Sequence, residues 1–251
     1  MNASIPQAAV QVRSLRKSFG AQPVLDGVDL EVAQGETLAI LGQSGTGKSV
    51  LLKLIVGLQQ PDDGSIRIHG QEVAGQSPTQ LNELRLKIGF VFQSAALYDS
   101  MTVEENVAFP LRRHAHLSDA DCSTQVQQLL ASVGMEEALG KMPDQISGGM
   151  KKRVGLARAL ALSPDILLFD EPTTGLDPIT AAEISELILK LQRERKVASI
   201  IVTHDVQVAH EVADRLALLR EGKILITGTF TDLKNSQDAF VTQFLKSAWQ
   251  G

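Results

Sequence analysis

The stretch Gly42-Gln43-Ser44-Gly45-Thr46-Gly47-Lys48-Ser49 constrains this chain more than any other, because it has the spacing G-x-x-x-x-G-K-[ST] between a strand and a helix. Ahead of it, Thr37 to Leu41 is a short apolar run of the buried-strand kind; behind it, Val50 to Val56 has helical character and Gly57 closes it. Glycines at 42, 45 and 47 carry no Cβ, so successive N–H groups can turn inward around an anion. The following helix adds its unpaired N–H groups and the positive end of its dipole. In such a loop Lys48 reaches the β- and γ-phosphates as a point charge, and the Ser49 hydroxyl ligates Mg²⁺. Kinases, GTPases and many ATPases share this device, so it names a ligand chemistry before it names a machine.

The 251 residues suffice for one large domain or two intimate lobes around a substantial core. With 24 basic and 29 acidic residues the net charge is −5, and no basic excess points to nucleic acid or to an anionic membrane surface. Cys122 is the single cysteine, which leaves no intrachain disulfide or thiolate metal site and suits a reducing compartment. The start MNASIPQAAVQVRSL lacks a basic segment followed by an apolar one, so no signal peptide is expected. No uncharged run approaches the ~18 residues of a membrane helix. The expectation is a soluble chain whose membrane role, if any, comes from partners.

Val10 and Val12, then Val28, Leu30 and Val32, alternate as in sheet. Between them Ser18-Phe19-Gly20 sets an aromatic beside a turn glycine; Phe19 either stacks on a base or packs in the core. After the loop helix, Gln59 to Gly64 is a turn cluster and Ser65 to Gly70 an alternating strand. Residues 71–82 form a polar loop entering a short helix near Leu81 to Leu86. Ile88 to Phe92 is a buried strand ending at Gln93, whose side-chain carbonyl either turns to a metal or water or caps the strand. From Ser94 to Gly134 the pattern is helical. Thr102-Val103-Glu104-Glu105 is a capping box that starts a helix at 103, and Ser118 with Asp119 and Asp121 starts the next, with Val126, Leu129, Leu130 and Val133 as its apolar stripe. A helical block inserted in an α/β chain reads as a subdomain able to rotate as a unit.

Asp144 to Met150 is a second glycine-containing turn opening a helix, with Lys151, Lys152 and Arg153 in its first turn, where cations oppose the dipole. Either an external anion docks at that terminus or the three side chains are solvated. Ile166 to Phe169 is a buried parallel-type strand that delivers Asp170-Glu171 at its carboxyl end, where ligands of open α/β sheets sit. There Asp170 can hold Mg²⁺ through water and Glu171 can polarise an attacking water. Thr173 to Pro178 turns the chain into a helix marked by Ile184, Leu187, Ile188 and Leu191. Ala198 to Thr203 is another apolar strand and delivers His204-Asp205; His204 either donates to a γ-phosphate or is structural. His69, His114, His116 and His210 show no metal-ligand spacing. Strands at Arg215 to Leu219 and Lys223 to Ile226 finish the sheet. The tail is an amphipathic helix with Phe240, Val241, Phe244, Leu245 and Trp249 on one side, facing its own domain or a neighbouring subunit.

In this order the elements resemble the nucleotide-binding subunit of ATP-binding cassette (ABC) transporters, over nearly the whole chain. GQSGTGKS looks like the Walker A motif, Gln93 the Q-loop, ISGGM the signature, ILLFDE the Walker B motif with Glu171, Gly175-Leu176-Asp177 the D-loop and His204 the switch histidine. Phe19 falls where an adenine-stacking aromatic, more often Tyr, precedes the loop. The signature departs from LSGGQ at Ile146 and Met150. More narrowly, GFVFQSAALYDSMTVEENVAFPL, ISGGMKKRVGLARAL and DEPTTGLDPITA resemble the ATPases paired with MCE-domain proteins in bacterial and plastid lipid transport, the Mla-type systems.

The resemblance implies an α/β P-loop NTPase fold: a RecA-like core with an antiparallel β-subdomain (1–93 and 156–225), an inserted α-helical subdomain (94–155) and a C-terminal helical tail (226–251). It implies ATP and Mg²⁺ as ligands. Phe19, Val24, Gly42, Gln43, Ser44, Gly45, Thr46, Gly47, Lys48, Ser49 and Asp177 would surround the nucleotide, and Ser147, Gly148 and Gly149 of a second copy would close a head-to-tail homodimer. Ser49, Gln93 and Asp170 would hold the metal, and Lys48, Gln93, Glu171 and His204 would serve hydrolysis. Implied partners are a multispanning permease, an MCE-domain protein and a small STAS-type subunit, with no nucleic acid, at the cytoplasmic inner face of the plasma membrane. Leu97, Tyr98 and Met101 either line a groove for a permease helix or belong to the lobe core. Transport of another small solute is the alternative. A soluble, non-transport ABC ATPase is further off: a chromosome-maintenance type needs a long coiled coil between Lys48 and Ser147, and a translation-factor type usually carries two cassettes.

Overall fold

The computed structural model describes residues 8–248. In chain order the elements are β1 (Ala8–Phe19), β2 (Gln22–Ala33), β3 (Thr37–Leu41), α1 (Lys48–Ile55), β4 (Asp63–Ile68), β5 (Gln71–Glu72), α2 (Pro78–Arg85), β6 (Ile88–Val91), α3 (Val103–His114), α4 (Asp119–Ser132), α5 (Gly148–Leu160), β7 (Ile166–Asp170), α6 (Pro178–Arg195), β8 (Ala198–Thr203), α7 (Val206–Val212), β9 (Arg215–Arg220), β10 (Lys223–Gly228), α8 (Phe230–Lys234) and α9 (Ala239–Ala248).

The strands divide by pattern. Those that alternate, β1, β2 and β4, join β5 in an antiparallel sheet of order β2-β1-β4-β5, and their valines at 10, 12, 28 and 32 are fully buried. The mainly apolar strands β9, β3, β8, β7 and β6 build the second sheet together with the alternating edge strand β10, in the order β10-β9-β3-β8-β7-β6. Its β9, β3, β8, β7 and β6 are parallel, and β10 adds an antiparallel edge. Every residue of β3, β7 and β8 is buried, as strands covered on both faces require. Leu41 pairs with Thr203 and Asp170 with Val202, so β3, β7 and β8 end at one level of the sheet.

Between β6 and β7 lies the expected helical block. The Thr102 hydroxyl accepts from Glu105 N at 3.2 Å while the Glu105 carboxylate accepts from Thr102 N at 2.8 Å, and α3 starts at 103 as the capping box predicts. Ser118 caps α4, whose Val126, Leu129 and Leu130, with Val133 just after its end, are buried with Val107 and Leu111 of α3 and Val154 of α5. Helix α5 runs unbroken through residues 155 and 156, so the expected limit of the helical subdomain falls inside a helix. Strand β10 likewise continues to Gly228, past the expected start of the tail. Helix α2 begins at Pro78, earlier than expected, because Ser77 and Gln80 form a capping box and Pro78 takes the first helical position. Val241, Phe244 and Leu245 of α9 are buried with Ala39, Leu41, Leu216 and Leu218, and Arg220 lies over the Phe240 ring at 4.0 Å. The tail therefore packs on its own domain; Trp249 lies outside the described residues.

Gly89 in β6 is where α5 closes on the sheet. A Cβ there would lie 2.5 Å from Ala159 O and 2.6 Å from a Leu167 methyl. Gly89→Ala is expected to lower the unfolding free energy by roughly 1–3 kcal/mol, read as a lower urea midpoint at unchanged slope.

Candidate nucleotide site

The level edge of β3, β7 and β8 brings residues 42–49, 170–171 and 204 together. The loop after β3 needs its glycines. Gly47 has φ +99°, and a Cβ on it would lie 2.9 Å from a Val24 methyl and 3.1 Å from Val24 O, so the loop leans on β2 and draws Val24 into the site. A Cβ at Gly42 would lie 2.6 Å from Leu219 O. Thr46 donates to Gln43 O at 2.9 Å, which closes the turn.

Lys48 is 5% exposed, and its ammonium donates to Gly42 O at 2.7 Å and Gln43 O at 3.1 Å, with Glu171 Oε1 at 3.5 Å. Burial pulls its pKa below the usual lysine value, while Glu171 and Asp170 oppose that fall. The Ser49 hydroxyl donates to Asp170 Oδ1 at 2.7 Å. Glu171 departs from the strand with φ +48°, an uncommon conformation for a residue with a Cβ, and its N–H is held by Val202 O at 2.9 Å. Its Oε2 accepts from the Thr174 hydroxyl at 3.0 Å and lies 2.9 Å from His204 Nδ1. The acid at the end of β7 is thus oriented from both sides.

Phe19, Val24, Ser44, Gly45, Gly47, Lys48, Ser49, Gln93, Glu171 and His204 line one cleft of about 420 Å³, together with Val50 and Thr174. Phe19 is 49% exposed, which overturns the core reading and leaves its ring at the cleft. Gly42, Gln43 and Thr46 shape the loop from behind, and Asp170 sits beneath the cleft against Ser49. One carboxylate, one hydroxyl and the Gln93 amide, completed by phosphate oxygens, make a donor set that fits Mg²⁺.

Ser147, Gly148, Gly149 and Asp177 do not line this cleft. Ser147 caps α5, accepting from Met150 N at 3.2 Å, and remains exposed with Gly148. Asp177 caps α6 by accepting from Thr180 N and Ile179 N, and the Thr180 hydroxyl, followed by these backbone bonds, holds its carboxyl below the usual pKa. Ser147, Gly148 and Asp177 are exposed at helix starts, whereas Gly149 is buried against Thr180. Two of the three residues in the basic triplet depart from the solvated expectation, because Lys152 and Arg153 are taken up by protein acceptors, while Lys151 is half-buried. Lys152 is buried against Gln93 O and Glu171 O, and Arg153 donates to Val133 O and Glu183. The Thr174 and Lys152 contacts were not foreseen; Thr174, three residues beyond the acid on a turn, offered a local signal, whereas Lys152 offered none.

A second hollow of about 390 Å³ opens between β6 and the helical block, lined by Phe90, Phe92, Tyr98, Phe109 and Arg158 among others. Phe90 stacks on Phe92 at 4.2 Å and Tyr98 meets Phe109 at 5.0 Å. Tyr98 is 45% exposed there, whereas Leu97 packs on the lobe core and Met101 does not line the hollow. Among the described residues no helix is long and apolar enough to cross a membrane.

Residues 25–174 match the family model described as ABC transporter. The chain is 40% identical to the intermembrane phospholipid transport system ATP-binding protein MlaF of Haemophilus influenzae over 98% of this chain and 93% of that protein. It is 41% identical to a probable ribonucleotide transport ATP-binding protein of Mycobacterium leprae, over 94% of this chain and 68% of that one. A dimeric ATP-binding cassette solved in a post-hydrolysis state with ADP and Pi superposes with a TM-score of 0.81 at 33% identity, covering 88% of this chain and 98% of its own. Fold, loop, paired acids and likeness agree: the chain belongs to the ABC transporter family, as an ATP-binding subunit that hydrolyses ATP.

Proposed function

We propose that this subunit powers lipid or phospholipid transport together with an MCE-domain protein and a multispanning permease. The observation that carries this reading is the near full-length likeness to a phospholipid transport ATPase, 98% of this chain against 93% of that one. The aromatic hollow around Tyr98 supports the permease partner, since a partly exposed groove lined by aromatic rings and Arg158 beside the helical block suits a cytoplasmic helix. The complex would sit at the cytoplasmic face of the plasma membrane, with a small STAS-type subunit as a further partner. The likeness to a ribonucleotide transport protein favours, as second reading, an ABC transporter for another small solute.

Within the ATPase, Lys48 exchanges the carbonyls of Gly42 and Gln43 for β- and γ-phosphate oxygens. Phe19 and Val24 contact the base side, and loop N–H groups at 44–49 cradle the phosphates. Ser49, Gln93 and Asp170 would hold Mg²⁺, which would supply charge neutralisation at the phosphates. Glu171 orients the attacking water and accepts its proton, and His204, held on Glu171 Oε2, senses the γ-phosphate. Ser147, Gly148, Gly149 and Asp177 act across a homodimer, where their outward-facing helix starts meet the second copy's nucleotide. Loss of the γ-phosphate removes the charge that holds the halves together.

Glu171→Gln is expected to cut hydrolysis by about 100-fold or more while ATP affinity is retained, measured by phosphate release and nucleotide titration. Lys48→Ala should weaken ATP binding by about tenfold or more. Affinity purification of the tagged protein from detergent-solubilised membranes should co-elute a permease with an MCE-domain protein. A different permease would favour the second reading, and ribosomal or DNA-bound partners without a permease would sink transport.

A further inference from the structure

Helix α5 meets the Gln93 loop through a stripe of residues three apart. Lys152 is 6% exposed, and its ammonium donates to Gln93 O and, at 3.2 Å, to Glu171 O. One turn on, Gly155 lets Ala95 approach, since a Cβ at 155 would lie 3.2 Å from Ala95 Cβ. At 158 the guanidinium donates to Ala95 O at 2.8 Å and Ala96 O at 2.9 Å. Ala95 and Ala96 have φ of +61° and +47°, a left-handed pair that turns its carbonyls toward the helix. The loop's backbone is thus read by one face of α5 and has little freedom to move without it.

Arg158 also reaches Asn106 on α3, whereas Lys152 reaches past the loop to the end of β7. Its second acceptor is the carbonyl of Glu171, the residue whose own φ is +48°. A buried ammonium is costly, and a methionine would fill the same space without that cost, so packing does not explain the charge. The Glu171 carbonyl end of this bridge is buried, and without Lys152 it keeps only the longer bond from Thr174 N at 3.3 Å, while Gln93 O loses the ammonium that joins it to Glu171; the left-handed turn at 171 is then freer to relax. Burial lowers the lysine pKa while the Glu171 and Asp170 carboxylates sustain its charge.

We propose that Lys152 is a positioning residue for hydrolysis, tying the backbones of Gln93 and Glu171 to the helix that begins at Ser147, so that the placement of the helical block sets the geometry of both groups at the phosphate. This rests on the roles proposed above for Gln93 and Glu171. The transmitted quantity is the position of the loop and of the acid, with no contact between Lys152 and the nucleotide.

The test uses the full chain, with MgATP turnover and ATP affinity measured for Lys152→Met and Lys152→Arg. Lys152→Met should lower kcat about tenfold or more, with KM and ATP affinity within about twofold of the parent, and Lys152→Arg should recover most of kcat. A kcat within about twofold of the parent in Lys152→Met, or a loss carried by KM, overturns the proposal. Should Lys152→Met lose its cooperative thermal transition, Lys152→Arg is compared with Lys152→Gln at equal ATP affinity. A kcat at least about threefold higher for the arginine supports the charged strut, and equal values overturn it. Glu171→Gln run in parallel separates the two levels: wild-type turnover there removes the site reading itself, whereas an inactive Glu171→Gln beside a normal Lys152→Met removes only the role of Lys152.

Discussion

The in-register parallel pairing of β3, β8 and β7 is the constraint on which the rest of the molecule depends. All residues of these strands are buried, so none can carry a solvated polar group until the chain leaves the sheet. Because Leu41 is level with Thr203, and Asp170 with Val202, polarity resumes on three strands at one height. The phosphate loop, the paired acids and His204 are neighbours for that reason, although 121 positions separate the Ser49 and Asp170 side chains that touch. Ligands gather at such carboxyl edges generally. Here the edge also sets the reach of each side chain, since every one starts from a fixed strand end.

Two buried lysines divide the work around Glu171. Lys48 faces the carboxylate from the loop side at 3.5 Å, and Lys152 holds the carbonyl of the same residue from the helical block. Each is drawn below the ordinary lysine pKa by burial and kept charged by the same pair of acids. The site therefore concentrates opposite charges in a poorly solvated space, where their interactions are stronger than in water. Such an arrangement is rigid as long as each partner is present.

Much of this was legible in the sequence. Uninterrupted apolar runs marked the buried parallel strands, alternation marked β1, β2 and β4, and the capping box at Thr102 and the N-cap at Ser118 fixed helix starts, since a cap satisfies donors that have no other partner. Helix α2 was misplaced because Pro78 reads as a loop signal, yet a first-turn proline has no hydrogen bond to lose. Phe19 could not be assigned from pattern, because an aromatic beside a turn fits a core and an exposed cleft equally. Lys152 was missed for a deeper reason. A cation among cations on a helix reads as surface, and only tertiary packing reveals that its partners are two backbone carbonyls, groups that every residue possesses and no sequence advertises.

Gly149 adds a mechanical point. A Cβ there would lie 2.5 Å from the Thr180 methyl, so the first turns of α5 and α6 are in direct contact. Ser147 and Asp177, each the cap of one of these helices, are therefore spaced by that contact as if by a gauge block. A bulkier residue at 149 would splay the two helices and change the distance between two surface points together. The glycine is thereby a ruler for the face that the proposed homodimer would match, a task of spacing that needs no atom of its own to touch a ligand.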